Sequence, residues 1–342
     1  MTANQDTTFQ REIFLKDLSV SLALIDQAEA AGKAFADEGI EQLLLVGCGA
    51  PRYMFRAINK WLGDTSNGNY VADLYPAELA KTCYTPDART AVIFGSHSGK
   101  TSDTVNGAES IRQSDARTMA ITQHAESPLG KNVKQVVAYG STEQGYFSSV
   151  ILTLTLVSAF LQRVSPNWNL HLQLKSSMHN LPDALADAKE KSLREGIRHA
   201  ELLLKANSVF VIGEGAMYTT AYIFAACFLM EMQRINAHPI KALDFFHGPF
   251  ELLDSSAPII LLLGEGDTRP HAEHVRKFCD KYLGGCLTYD AASFVMPGIE
   301  PKIRAIAAPF IVDAALTNVV EQLAILRDFP LDTRRYMGKV DY

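Results

Sequence analysis

Four unbroken apolar runs divide the chain into two matching pairs. Residues 43–46 run into Gly47-Cys48-Gly49, and residues 209–212 run into Gly213-Glu214-Gly215, 166 residues further on. The second pair, residues 91–94 before Gly95 and residues 259–263 before Gly264, recurs at nearly the same interval. A half-exposed strand alternates apolar and polar positions, whereas four or five consecutive apolar residues mark a strand covered on both faces. Between these runs the period lengthens to that of a helix, over residues 53–62 and again over 219–235. The pattern predicts an internal duplication: an α/β protein of two tandem three-layer α-β-α lobes with parallel sheets.

The remaining segments predict how the lobes are joined. Residues 11–38 carry Leu15, Leu18, Leu22 and Ile25 on one stripe, so a helix is expected across the first lobe. Leu181-Pro182-Asp183 opens a charged amphipathic stretch, 184–205, read as a connecting helix with Pro182 in its first turn. A boundary near residue 175 follows, with the N-terminal helix and first lobe in 1–175 and the connecting helix, second lobe and tail in 176–342. Residues 331–342 are too charged for a core and read as an extended tail.

Composition narrows the function classes. The 342 residues are 47% hydrophobic with a formal charge of -6, which gives no basic footprint for nucleic acid. Asp6, Arg11 and Glu12 precede any apolar run, unlike a signal or transit peptide, and no span supplies the roughly 20 uncharged apolar residues of a membrane helix. Cys48, Cys83, Cys227, Cys279 and Cys286 are odd in number and irregular in spacing, which suits reduced thiols and a cytoplasmic location.

Chemistry is expected beyond the carboxyl ends of the strands, where helix N-termini present free N–H groups to anions. Ser96-His97-Ser98-Gly99-Lys100-Thr101 offers three hydroxyls there, before a helix starting near Thr101 or Ser102, and suits a phosphate monoester. A hydroxyl-rich helix cap would read the same way. The counterpart in the second lobe, Gly264-Glu265-Gly266-Asp267, carries carboxylates that repel phosphate, so the first lobe alone is expected to hold one. The loop is one residue short of a nucleotide-binding P-loop, because Phe94 stands where that motif needs glycine.

In the second lobe, residues 219–230 bear no charge before Glu231, which α-helical spacing sets on the stripe of Phe224, Cys227 and Phe228. Desolvation there raises a carboxylate's pKa toward that of a general base, unless Arg234, one turn on, neutralises it as a structural pair. His247, before the turn-forming Gly248-Pro249, is placed either for proton transfer or as a surface or packing residue. His271 and His274 share a helix with so many charges that a solvated face is expected rather than a metal site. No cofactor motif is present elsewhere.

These motifs resemble the sugar isomerase (SIS) domain family, in two copies over essentially the whole chain. Ser96 to Thr101 is similar to its Ser-x-Ser-Gly-x-Thr phosphate loop, and Glu143-Gln144-Gly145-Tyr146-Phe147-Ser148-Ser149 to its Glu-x-Gly-x-x-Ser-Thr segment. Glu231 and His247 stand sixteen residues apart, as do the glutamate and the histidine of the His-Gly-Pro motif in aminosugar-phosphate members. The resemblance implies that Ser96, His97, Ser98 and Thr101 hold phosphate. It implies further substrate contacts from Gly49, Ala50, Glu143, Ser148 and Lys339, a Glu231 that moves a carbon-bound proton, and a His247 that assists ring opening. It implies no metal or redox cofactor, and a homodimer whose site lies at the two-fold interface with the histidine supplied by the neighbour.

Within the family, Cys48-Gly49-Ala50-Pro51 and the tail from Arg334 are similar to the fructosamine 6-phosphate deglycases, which split phosphorylated Amadori compounds into glucose 6-phosphate and an amine or amino acid. Ala50 lacks the hydroxyl usual at its position, Asp244 stands for glutamate, and Lys241 replaces a frequently acidic residue, a change that favours an acidic leaving group. Glucosamine 6-phosphate synthase is disfavoured, because the first lobe is reached by Leu43 with no room for a glutamine-hydrolysing domain. The alternatives are an aminosugar-phosphate deaminase or isomerase, for which Lys339 matches the lysine near the synthase C-terminus, and a non-catalytic phosphosugar sensor, which would not need Glu231 and His247 together.

Overall fold

The computed structural model describes residues 9–66, 68–80 and 86–340; Asp6, Cys83 and the last two tail residues lie outside them. In chain order the elements are α1 (Arg11–Leu22), α2 (Ile25–Asp37), β1 (Gln42–Gly47), α3 (Gly49–Ser66), β2 (Val71–Leu74), α4 (Pro76–Ala80), β3 (Thr90–Ser96), α5 (Ser102–Ser110), β4 (Arg117–Thr122) and β5 (Gln135–Ala138). There follow α6 (Gly145–Val164), α7 (His171–Leu203), β6 (Val209–Gly213), α8 (Ala216–Tyr222), β7 (Ala237–Lys241), β8 (Ile259–Leu263), α9 (Arg269–Tyr282), β9 (Leu287–Asp290) and α10 (Arg304–Leu326).

The first sheet has the order β2-β1-β3-β4-β5 and the second β7-β6-β8-β9, parallel throughout. The duplication is therefore one of topology: β1 and β3 correspond to β6 and β8, and each pair flanks the point where strand order reverses. Alternate residues of the apolar runs face opposite layers, as the two-residue period of a strand requires. Leu43 and Leu45, with Val209 and Val211, enter one core shared by both lobes. Leu44 and Val46 face the layer under α4 and α5, and Phe210 and Ile212 face the layer under α9. Between lobes, the Tyr53 ring of α3 stacks on Tyr222 of α8 at 3.6 Å.

Several connections depart from the sequence expectations. The segment 11–38 is two helices, broken where the Leu24 N–H bonds Ser21 O at 3.1 Å, so that α1 reaches α6 and α7 while α2 lies along α6. The connecting helix begins at His171, not near residue 184, and Pro182 lies inside it. His171 anchors that earlier start: it is buried, with Nδ1 against Ser158 Oγ and Nε2 against Glu29 Oε1, both at 2.8 Å. The packing of α7 on both α6 and α10 compensates the hydrogen bond and the propensity that an interior proline forfeits. Two helical spans, Gly145–Val164 and Pro301–Leu326, reach membrane-spanning length and mean hydropathy, though each carries charged residues. Their apolar windows are 78% and 83% buried within the protein, so they are its core helices.

The segment read as one α-helix over 219–235 changes character midway. α8 continues into a π-helix over Ile223–Met232, in which the turn widens by one residue. The tail does not extend away from the protein. It folds back in turns, and Arg334 reaches the π-helix.

Candidate active site

At the switch point of the first sheet, β3 delivers Ser96 to the loop and α5 starts at Ser102. Ser96 is buried, with its Oγ 3.1 Å from Thr101 Oγ1, and it accepts the Gly99 N–H at 3.2 Å. Ser98, Lys100 and Thr101 are exposed. Gly99 has φ +62°, and a side chain there would meet Ser127 Oγ at 2.3 Å, so only glycine lets the loop close over β4. Thr101 makes no side-chain cap bond, which leaves the first amides of α5 open beside the hydroxyls. Gly49, at φ +57°, has open space above it at the start of α3.

His97 hydrogen-bonds Tyr139 Oη through Nδ1 at 2.9 Å. Its side chain stays exposed, yet partial desolvation sets its pKa below the ordinary imidazole value, with the Glu143 carboxylate restoring part of the loss. His97, Ala50 and Glu143 line the near side of a cavity of about 490 Å³. Cys227 and Phe228 of the π-helix line its far side, with Asp313 and Glu321 of α10 and Leu331 of the tail.

Glu231 does not face this cavity. The wider turn of the π-helix rotates it off the stripe of Phe224 and Phe228, so it shares a second, open hollow with Met230, Arg234 and Arg334 to Met337. Its Oε1 pairs with Arg334 Nη2 at 3.0 Å, the side chains being 27% and 21% exposed. The partner is Arg334 from the tail, not Arg234, whose guanidinium stacks on Phe329. Burial raises the Glu231 pKa above the ordinary carboxylate value, and Arg334 opposes the rise without cancelling it.

The other expected residues are scattered. His247 is exposed on a turn held by the aromatic cluster of Phe245, Phe250 and Phe278, and it lines neither hollow. Lys339 Nζ donates to Arg334 O at 2.7 Å, so it supports the arginine that pairs with Glu231. Ser148 is fully buried with its hydroxyl unpartnered and lines neither hollow; Ser149 lines the cavity instead, its Oγ 3.4 Å from Tyr139 Oη. Lys241 lies over the Tyr218 ring. Among the described residues no group of three or more His, Cys, Asp or Glu is arranged to hold a metal, and the His274 ring packs at a tilt against Phe246.

The sequence reading missed Arg334 and Asp313. Arg334 was visible as a tail cation, but its partner was not. Asp313 is the sole charge between Arg304 and Glu321 on α10, the same signal that singled out Glu231.

Known proteins resemble this chain along most of its length. The chain is 32% identical to a fructosamine deglycase of Bacillus subtilis over 89% of its own length and 93% of that protein's. It is 26% identical to a fructoselysine 6-phosphate deglycase of Escherichia coli over 87% of the chain and 86% of the relative. A solved Bacillus subtilis structure, provisionally described as a phosphosugar isomerase, superposes with a TM-score of 0.84 at 30% identity, covering 93% of this chain and all of that one. The SIS domain family model matches residues 39–163 and 202–281, which hold β1 to β5 and β6 to β8, and the chain belongs to the SIS domain family.

Proposed function

We propose that the protein is a deglycase that hydrolyses a 6-phosphorylated fructosamine to glucose 6-phosphate and a free amine or amino acid. The observation that carries the reading is the desolvated carboxylate: Glu231, on the π-helix of the second lobe, has its pKa raised by burial, and the first lobe supplies an open, hydroxyl-lined helix start for an anion. The two deglycase relatives support the same chemistry.

In this mechanism Ser96, Ser98, Thr101 and the first amides of α5 hold the phosphate, which fixes the sugar chain relative to the base. His247 assists ring opening. Glu231 removes a proton from C1 of the open-chain ketosamine and a proton returns at C2, leaving a C1=N bond. Water adds to C1, the C–N bond breaks, and the amine leaves with the proton. The Arg334 contact with Glu231 must loosen for the carboxylate to reach C1. Exposed Leu243 and Leu252, 51% and 72% accessible on either side of His247, support a homodimer in which that turn meets a neighbouring protomer's site.

The test is incubation with a panel of 6-phosphorylated fructose–amino acids and with glucosamine 6-phosphate, assaying glucose 6-phosphate, fructose 6-phosphate and free amine. Glucose 6-phosphate with an equal amount of amine is the expected result. Fructose 6-phosphate with ammonia from glucosamine 6-phosphate would make the protein a deaminase, and binding without any product would make it a sensor.

A further inference from the structure

The cavity behind the phosphate loop contains a group that the mechanism above does not use. Asp313 is 1% exposed, lines the cavity, and keeps its Oδ1 buried without a hydrogen-bond partner. An isolated carboxyl in such a place is costly, and native proteins seldom leave one unless a ligand or a proton completes it. Burial pushes the Asp313 pKa up to about 7 against the pull of Lys189, so near neutrality it binds a proton readily when nothing else completes it, and a cationic ligand would hold it charged. Asp313, Thr317, Val320 and Glu321 fall on successive turns of one face of α10, all lining the cavity, so the helix presents a polar strip to an otherwise apolar chamber. Apolar walls come from both lobes, including Met54 and Phe147 from the first and Ile223 and Phe228 from the second.

The charges within it are unequal. Glu143, Asp313 and Glu321 are carboxylates, and Lys189 is the one permanent cation among the lining residues. Lys189 is itself nine-tenths buried and committed, with Nζ 2.8 Å from Glu321 Oε1 and 2.6 Å from Thr317 Oγ1. It makes no ion pair with Asp313. The His97 ring at the near side binds a proton less readily than a free imidazole. Lys241, whose charge suggested an acidic leaving group, sits on the Tyr218 ring away from this chamber.

We infer that the cavity is a subsite for a cationic group carried on an apolar chain, with Asp313 as its counter-ion, and that it receives the part of the substrate beyond the sugar. The second half of that statement rests on the deglycase reading; the first does not. A volume of about 490 Å³ accommodates a chain of several methylenes, and the lining residue His97 belongs to the loop where the sugar phosphate is proposed to bind. The apolar walls desolvate the chain, and an ammonium at its end gives the orphaned oxygen the charged hydrogen bond it lacks.

Isothermal titration of the full chain with n-hexylamine and with 1-hexanol separates charge from chain. Asp313→Asn, which keeps the shape, should weaken hexylamine by about tenfold or more and hexanol far less. Val320→Phe, which narrows the chamber, should weaken both. Equal hexylamine affinity in wild type and Asp313→Asn overturns the inference, as does absence of hexylamine binding to the wild type. In turnover, 6-phosphofructosyl 1,6-diaminohexane should have a higher kcat/KM than 6-phosphofructosyl hexylamine, and Asp313→Asn should abolish that preference. A preference unchanged in the variant removes the assignment to the leaving amine. Hexylamine binding that depends on Asp313, with no amine released from any phosphofructosamine, keeps the cation subsite and defeats the deglycase reading instead.

Discussion

After β3 the first lobe leaves Ser98, Lys100 and Thr101 exposed and the start of α5 uncapped by any side chain, whereas after β8 the second lobe closes on itself. There Glu265 receives Arg304 at 2.5 and 2.7 Å, and Arg269 donates to Gly264 O at 2.9 Å and to both oxygens of Asp290 at 2.7 Å. The neighbouring junctions differ in the same sense. Glu214 places its own carboxylate on the N–H groups of Gly215 and Leu243, both at 2.9 Å, where the first lobe has Cys48. A parallel sheet with a switch point offers anion-ready amides in either lobe. In the second lobe Glu214 fills amides after β6 and Glu265 with Arg304 occupies the loop after β8, whereas the first-lobe loop presents exposed hydroxyls. In the proposed mechanism the second lobe contributes chemistry instead, through the π-helix that carries Glu231.

That division of labour can be broken in graded ways. The largest effect is expected from Glu231→Gln, which keeps the shape and removes the proposed base. It should lower kcat by about 10²–10⁴-fold with KM nearly unchanged, measured by steady-state kinetics on protein whose melting temperature is checked in parallel. A stable variant with undiminished turnover would remove the second lobe from the chemistry. Ser96→Ala or Ser98→Ala should act on binding, raising KM by roughly 10- to 100-fold through loss of a charge-assisted hydrogen bond of about 1.5–3 kcal/mol. Unchanged KM in both would reduce the first-lobe loop to a helix cap.

Glu265→Gln should show the opposite profile, because its partner Arg304 has no ligand to serve. Denaturant unfolding should find a loss on the order of 1–3 kcal/mol, between the values of exposed and buried pairs, while KM per folded molecule stays the same. The smallest effect concerns Arg334→Met. Burial already raises the Glu231 pKa and Arg334 pulls it down, so removing the guanidinium raises it further. The acidic limb of the kcat–pH profile should move to higher pH. A shift to lower pH would mean that Glu231 is not the titrating base.

Much of this is legible in the order of residues along the chain. The unbroken runs at 43–46 and 209–212 encode strands covered on both faces, and they are fully buried in β1 and β6. Thr101 stands at the N-terminus of α5 as its spacing implied. Glu231 stood out because a lone carboxylate on an apolar helix is costly, and its pKa is shifted in the expected direction. Asp313 gives the same signal on α10, and the same criterion applied evenly finds it.

What the sequence determined by itself was local: which runs are strands, where glycine lets a loop turn back, and which lobe has hydroxyls and which carboxylates at its switch point. These follow from periodicity and residue type, which act over a few residues. Only the tertiary structure decided the rest. A widened helical turn sent Glu231 to a different hollow from Phe228, the tail folded back to give it Arg334, and α7 ran through Pro182 because helices from both lobes pack on it. Each outcome depends on groups about 100 residues or more apart in sequence or on a choice between nearly equal helical pitches, and packing energy, not local pattern, selects among those.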